Sequence, residues 1–172
     1  MMSWLVAAAW SGPTAARPAA GSQALYRVTV FGGVLLLFDP FILGAASPLW
    51  VSPPALSWAM VALTAGGFGF CWWARFYLGR LWSSSVTRKE GHHVVDTGPY
   101  ALVRHPIYTG ILVAASATAV DRGTVTGLVG LGLITLGYWI KARLEESFLR
   151  AELGADAYDA YACRTGMLMP FL

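Results

Sequence analysis

The stretch Gly98-Pro99-Tyr100-Ala101-Leu102-Val103-Arg104-His105-Pro106-Ile107-Tyr108-Thr109-Gly110 lies between two apolar halves of the chain. Pro106 suits the first turn of a helix, where a missing N–H costs nothing and a fixed φ helps. The apolar run from Ile107 to Val120 then reads as that helix entering a membrane. Arg104 and His105 accordingly fall at a helix N-terminus, where free N–H groups and the macrodipole favour an anion. Tyr108 follows His105 by three positions and shares its helical face. An isolated Arg-His pair at such a boundary is most often an interfacial anchor that snorkels toward the headgroups. Here an imidazole, a phenol, a guanidinium and a helix start converge, which marks a candidate site.

Composition sets the surroundings of that site. The chain has 172 residues, the length of one domain. A mean hydropathy of +0.56 with only 12% charged residues is too apolar for an ordinary soluble domain and indicates an integral membrane protein. Cys71 falls in an apolar span and Cys163 in a polar tail, so no disulfide scaffold and no metal-type spacing is expected. The net charge of +3 is not gathered into a basic patch apart from the apolar segments, so nucleic-acid binding has no support.

Outward from the central stretch, four spans are expected, near residues 26–46, 55–78, 106–120 and 123–140. Residues 1–23 form an N-terminal tail, apolar at Trp4 to Trp10 and then rich in Pro, Ala and Gly. No basic residue precedes that apolar piece, so it reads as a surface-lying tail rather than a cleaved signal. The first span carries Asp39 beside Pro40, an acid near the far interface whose role stays open between depth and function. In the second span Gly66, Gly67 and Gly69 follow no strand, so helix packing is expected there rather than a nucleotide loop. That span ends in Trp72-Trp73-Ala74-Arg75-Phe76-Tyr77, an aromatic belt with a basic anchor. The adjacent His92-His93 pair has no Cys or carboxylate at ligand spacing and makes a weak metal signal. Asp121-Arg122-Gly123 should turn the chain tightly into the fourth span. Gly127, Gly130, Gly132 and Gly137 would let the third and fourth helices approach as a hairpin. The fourth helix is expected to continue into water through Lys141, Arg143, Glu145, Glu146 and Arg150, helped by i,i+4 pairs such as Glu146–Arg150.

The fold class is thus an all-α integral membrane bundle of about four transmembrane helices with a C-terminal cytoplasmic helical extension. Arg17 lies before the first span and Arg27 at its start, and Arg80, Arg88, Lys89 and Arg104 lie between the second and third. Lys141, Arg143, Arg150 and Arg164 follow the fourth, while the other face holds only Arg122. The positive-inside rule places both termini in the cytoplasm, with a bacterial inner membrane as the expected setting.

The wider pattern His92-x-Val94-Val95-x-x-Gly98-x-Tyr100-x-x-x-Arg104-His105-Pro106-x-Tyr108-x-Gly110 resembles the core motif of the isoprenylcysteine carboxyl methyltransferase and phospholipid methyltransferase superfamily. A second element accompanies it: Glu145-Glu146-x-x-Leu149, then Leu153-Gly154-x-x-x-Tyr158-x-x-Tyr161, Arg164 and Pro170. The resemblance covers residues 85–170, with cofactor motifs at 85–110 and 141–170. It implies S-adenosylmethionine as methyl donor and a lipophilic acceptor at the cytoplasmic membrane face. The family's cofactor contacts fall on His92, Val94, Val95, Tyr100, His105, Pro106, Ile107 and Tyr108, and its upstream polar contact on Ser85. Its acceptor-side Arg and Glu fall on Lys141 and Glu145. Lys141 keeps the cation without the bidentate geometry of an arginine, and Arg143 stands near enough in sequence to compensate.

The residues themselves suit such a cofactor. Arg104, His105 and the helix start offer donors to its carboxylate, the rings of Tyr100 and Tyr108 attract a sulfonium, and Glu145 or Glu146 faces its ammonium. A carboxylate acceptor needs no base near neutral pH, whereas an amine, phenol or thiol makes Glu145 a candidate base. Two other classes stay open. Membrane sterol reductases using NADPH share a similar Tyr…Arg-His-Pro…Tyr pattern on longer chains. A non-enzymatic helix bundle would explain the glycines but not two polar clusters on one face.

Overall fold

The computed structural model describes residues 14–16, 20–38, 48–79, 88–89 and 95–170. Among the described residues five helices carry the fold: α1 (Ala20–Phe38), α2 (Pro54–Leu78), α3 (Pro106–Arg122), α4 (Val125–Leu153) and α5 (Ala155–Ala162). A 3₁₀ turn at Gly98–Ala101 precedes α3. Thr14–Ala16 (β1) and Arg88–Lys89 (β2) form a short antiparallel pairing. Among the described residues the architecture is all-helical apart from that pairing. Among the described residues two helices are long and apolar enough to cross a membrane, Pro54–Leu78 and Val125–Ala151, and Gln23–Phe38 is a shorter apolar helix. Asp39 and the remainder of the first expected span lie outside the described residues.

Local sequence explains the boundaries. Proline occupies the first turn of both α2 and α3, as its fixed φ favours. Gly123 ends α3 in the left-handed conformation, its N–H bonded to the Ala119 carbonyl. Thr124 then caps α4 by accepting the Gly127 N–H at 3.1 Å. The Asp121-Arg122-Gly123 turn is therefore built as expected. The third helix starts at Pro106 and runs two residues past Val120.

Glycines set the packing, but of those expected between the third and fourth helices only Gly127 lies against α3, its Cβ position 3.9 Å from Ala119. A Cβ on Gly67 would meet the Gly110 carbonyl at 2.6 Å, which lets α2 and α3 lie backbone to backbone. A Cβ on Gly33 would meet the Gly130 carbonyl at 2.7 Å, and one on Gly137 would meet Val30 Cγ2 at 2.5 Å. Gly130 and Gly137 thus face α1, not the neighbouring α3, and Gly66, Gly69 and Gly132 meet nothing within 4 Å. The close pairs are α1 with α4 and α2 with α3, because the small-residue faces match across those pairs.

Two buried clusters fill the space between the helices. One gathers Leu37, Ala115, Ala119 and Ile134. The other gathers Cys71, Ala74, Tyr100, Ile107, Tyr108 and Ala142. The outward faces are apolar too, with Phe31, Trp58, Phe68, Phe76 and Leu136 exposed. Large apolar side chains on the outward faces of α1, α2 and α4 match a hydrocarbon solvent better than water.

The connector before α2 meets the α3–α4 turn. The Leu49 N–H donates to the Gly123 carbonyl at 2.6 Å, and Trp50 Nε1 donates to the Val120 carbonyl at 2.9 Å. The opposite end holds the start of α1, the end of α2, the start of α3 and the polar continuation of α4. Two side chains there depart from expectation. Arg75 does not snorkel: it is 1% exposed and donates to the Gly79 carbonyl at 2.7 Å, where it complements the carbonyl end of α2. Arg150 pairs with Asp159 of α5 at 2.8 and 2.7 Å rather than with Glu146. Both cysteines are free, Cys71 buried and Cys163 exposed.

Candidate active site

The start of α3 and the continuation of α4 meet at this end. Pro106 fixes the first turn of α3, which leaves His105 as its N-cap and sets Tyr108 one turn along. The two rings stack, centroids 5.1 Å apart and planes within 4°. Glu145 and Glu146 bracket the imidazole: His105 Nδ1 lies 3.5 Å from Glu145 Oε2, and Nε2 lies 3.3 Å from Glu146 Oε1. Tyr108 donates its hydroxyl proton to Glu145 Oε2 at 2.6 Å. Arg104 Nε donates to Glu146 Oε1 at 2.6 Å. The two acids are adjacent in sequence and about 100° apart around α4, yet one histidine is broad enough to touch both.

Charge follows geometry. Burial works against a charge on His105, but the two carboxylates outweigh it and hold the pKa above the ordinary imidazole value. Burial likewise disfavours ionised Glu145 and Glu146, which follow the apolar part of α4. His105, with Lys141 for Glu145 and Arg104 for Glu146, overcomes that and keeps both below the ordinary carboxylate range. The cluster is therefore held together by its charged forms.

A C-terminal segment closes over the start of α3. The N–H groups of Arg104 and His105 donate to the carbonyls of Gly166 and Met167 at 2.9 and 3.1 Å. Thr109 Oγ1 donates to the Leu168 carbonyl at 2.7 Å. The Arg104 guanidinium also reaches the Ala162 carbonyl at 2.9 Å and the Thr165 carbonyl. The N-cap end expected to be open to an anion is thus partly capped by the chain itself. Tyr161 donates to the Tyr100 carbonyl at 2.7 Å, which ties α5 to the 3₁₀ turn.

Of the residues marked by sequence, Tyr100, Arg104, His105, Pro106, Ile107, Tyr108, Lys141, Glu145 and Glu146 come together, with Val95 packed against the same cluster. Arg143 does not join them: it is exposed and lies over the Trp139 ring at 5.5 Å. Ser85, His92 and Val94 lie outside the described residues. Two tyrosines escaped the sequence reading. Tyr138 packs on Tyr108 with centroids 4.9 Å apart, and its spacing to Lys141 and Glu145 was the available signal. Tyr26 of α1 lies against Lys141, a long-range contact that no motif announced. Among the described residues no group of three His, Cys, Asp or Glu side chains is arranged to hold a metal ion.

Comparison with known proteins places the chain in a family. The model of the isoprenylcysteine carboxyl methyltransferase (ICMT) family matches residues 58–150, more than half of the chain. The chain belongs to this family. The methanethiol S-methyltransferase of a Pseudomonas species is 30% identical over 169 residues, covering 89% of this chain and 61% of that protein. The cobalt-zinc-cadmium resistance protein CzcN of Cupriavidus metallidurans is 31% identical over 127 residues, or 72% of this chain and 52% of that protein. A probable protein-S-isoprenylcysteine O-methyltransferase of rice, Oryza sativa, is 32% identical over 85 residues, 49% of this chain and 44% of its own. The chain thus spans about half the length of the curated relatives it matches. The family match ends at Arg150 and takes in both the start of α3 and the Glu145-Glu146 pair, while α1 lies outside it.

Proposed function

We propose that this ICMT-family chain is an integral membrane methyltransferase that uses S-adenosylmethionine to methylate a lipophilic acceptor at the cytoplasmic face. The observation that carries the reading is the meeting of two sequence-distant motifs at His105 and Tyr108, at the end where the basic residues gather. Four membrane-crossing helices, α1 to α4, with α5 as a cytoplasmic extension and both termini cytoplasmic, agree with the shared end of the helices. Relatives named for methyl transfer to a thiol and to a prenylcysteine support a lipophilic or small apolar acceptor.

The residues present fit the cofactor. The Tyr108 ring already carries the Lys141 ammonium at 4.9 Å and the stacked His105 ring, so the sulfonium would be favoured beside the site's ionised carboxylates and the Tyr100 ring. Glu145 and Glu146 offer ionised carboxylates to an ammonium group. In this reading Ser85, His92, Val94, Val95, Tyr100, Arg104, His105, Pro106, Ile107, Tyr108 and Glu146 form the cofactor side. Lys141 and Glu145 face the acceptor, with Arg143 at the rim. When bound, S-adenosylmethionine supplies an activated methyl group open to in-line attack.

The chain's own contribution is position and exclusion of water. Arg104 holds Glu146 and the C-terminal segment in place. Tyr108 fixes the carboxylate of Glu145. Glu145 takes the proton of an acceptor that is not already ionised, whether amine, phenol or thiol. A carboxylate acceptor needs no such step. Calorimetry on detergent-purified protein is the test: S-adenosylmethionine is expected to bind and NADPH to give no heat. Binding of NADPH alone would move the chain to the reductase class.

A further inference from the structure

Lys141 is only 8% exposed, and burial of an ammonium is costly unless other groups compensate. Two ring faces do so from opposite elements. The Tyr108 centroid lies 4.9 Å from Nζ and the Tyr26 centroid 5.6 Å, both within cation–π range. Tyr26 is itself 4% exposed, and its place is set by its own helix. Gln23 Oε1 accepts from the Tyr26 hydroxyl at 3.5 Å and from Arg27 Nη2 at 3.0 Å. Close contact of Gly137 with Val30 and the Tyr26 carbonyl brings α1 against α4 at this level. Glu145 lies one turn beyond Lys141 and shares Tyr108 with it.

From this geometry we infer that Tyr26 is a positioning residue: together with Tyr108 it clamps the Lys141 ammonium and so fixes the cation that orients the acceptor. The inference rests on the methyltransferase reading for its consequence, but the clamp itself is tested without it. It also gives α1, which lies outside the family match, a part in the site. Tyr26→Phe keeps the ring face and Tyr26→Leu keeps bulk without it, so the two variants separate a cation clamp from mere packing.

Three measurements on the full chain in detergent decide the matter. They are the rate of Lys141 labelling by an amine-reactive reagent read by mass spectrometry, S-adenosylmethionine affinity, and methyl transfer from labelled cofactor into a lipid extract of the host. Tyr26→Leu is expected to raise Lys141 labelling about threefold or more and to cut methyl transfer about tenfold, with cofactor affinity unchanged. Tyr26→Phe should match the unaltered chain in all three. If Tyr26→Leu does not fold, Tyr26→Met makes the same test. Unchanged Lys141 labelling in the leucine or methionine variant, or equal loss in the phenylalanine one, overturns the clamp. Should the unaltered chain bind no S-adenosylmethionine while Lys141 labelling still responds to Tyr26→Leu, the clamp stands and the methyltransferase reading falls.

Discussion

His105 is the residue on which both halves of the site depend, and its charge links structure to pH. Its raised pKa means that the folded state binds the imidazole proton more tightly than the unfolded chain does. That contribution is complete below about pH 6.5 and fades as pH rises through the raised value. Glu145 and Glu146, with lowered pKa values, contribute above about pH 4.3 and lose their contribution as pH falls. Thermal melts in detergent should therefore show highest stability between those limits and a decline on the alkaline side. His105→Gln should flatten the alkaline decline and weaken S-adenosylmethionine binding by about tenfold or more, because Glu145 and Glu146 lose the charge-assisted contacts that hold them in place. An alkaline slope that survives in His105→Gln would show that another group titrates there. At this scale much was legible: Arg104-His105-Pro106-x-Tyr108 and Glu145-Glu146 are local patterns with a mechanism. The carbonyls of Ala162, Thr165, Gly166 and Met167 were not, because a backbone acceptor leaves no mark on the identity of its residue.

At the scale of the helix, packing in the membrane rests on small faces, and the neighbouring glycines on each helix differ sharply. Gly110 has no room, since a Cβ there would meet Cys71 Sγ at 2.6 Å and the Gly67 carbonyl. Gly66 lies beside Gly67 and meets nothing within 4 Å. Gly110→Leu should separate α2 from α3 and cost about 1–3 kcal/mol or more, as overpacked cores do. Gly66→Leu should be close to neutral. Melting of the two variants in one detergent checks this, and equal stability would remove the close crossing. Helix existence was readable from apolar length, Pro106 and the Gly123 turn. Helix partners were not: Gly130 and Gly137 sit on α4 next in sequence to α3, but their open faces meet Gly33, Val30 and Leu37 of α1. One chain's glycine spacing states that a backbone will approach, and only the three-dimensional arrangement says which one.

For the whole molecule the question is which side of the membrane holds the site. One end of the bundle joins the connector before α2 to the α3–α4 turn through Leu49, Trp50 and Ser52, the last donating to the Asp121 carbonyl at 3.0 Å. The only Lys or Arg between Val120 and Ile140 is Arg122. The other end gathers Arg27, Arg104, Lys141, Arg143, Arg150 and Arg164, along with His105 and its two carboxylates. Lys and Arg are retained on the cytoplasmic side during insertion, and the proposed orientation rests on this asymmetry. Under the proposed function the same orientation sets access: a charged cofactor would reach the site from the cytoplasmic water, and an apolar acceptor would arrive through the bilayer. Reporters inserted after Ser52 are expected to read the far side, and reporters after Arg80 or Leu172 the cytoplasm. Adding lysines to the 48–53 connector should weaken that pattern, because it works against the same charge rule. A cytoplasmic reading at Ser52 in the unaltered chain would place the connector and the catalytic end on one side. The helices could not then all cross, and the site would have to take both substrates from water.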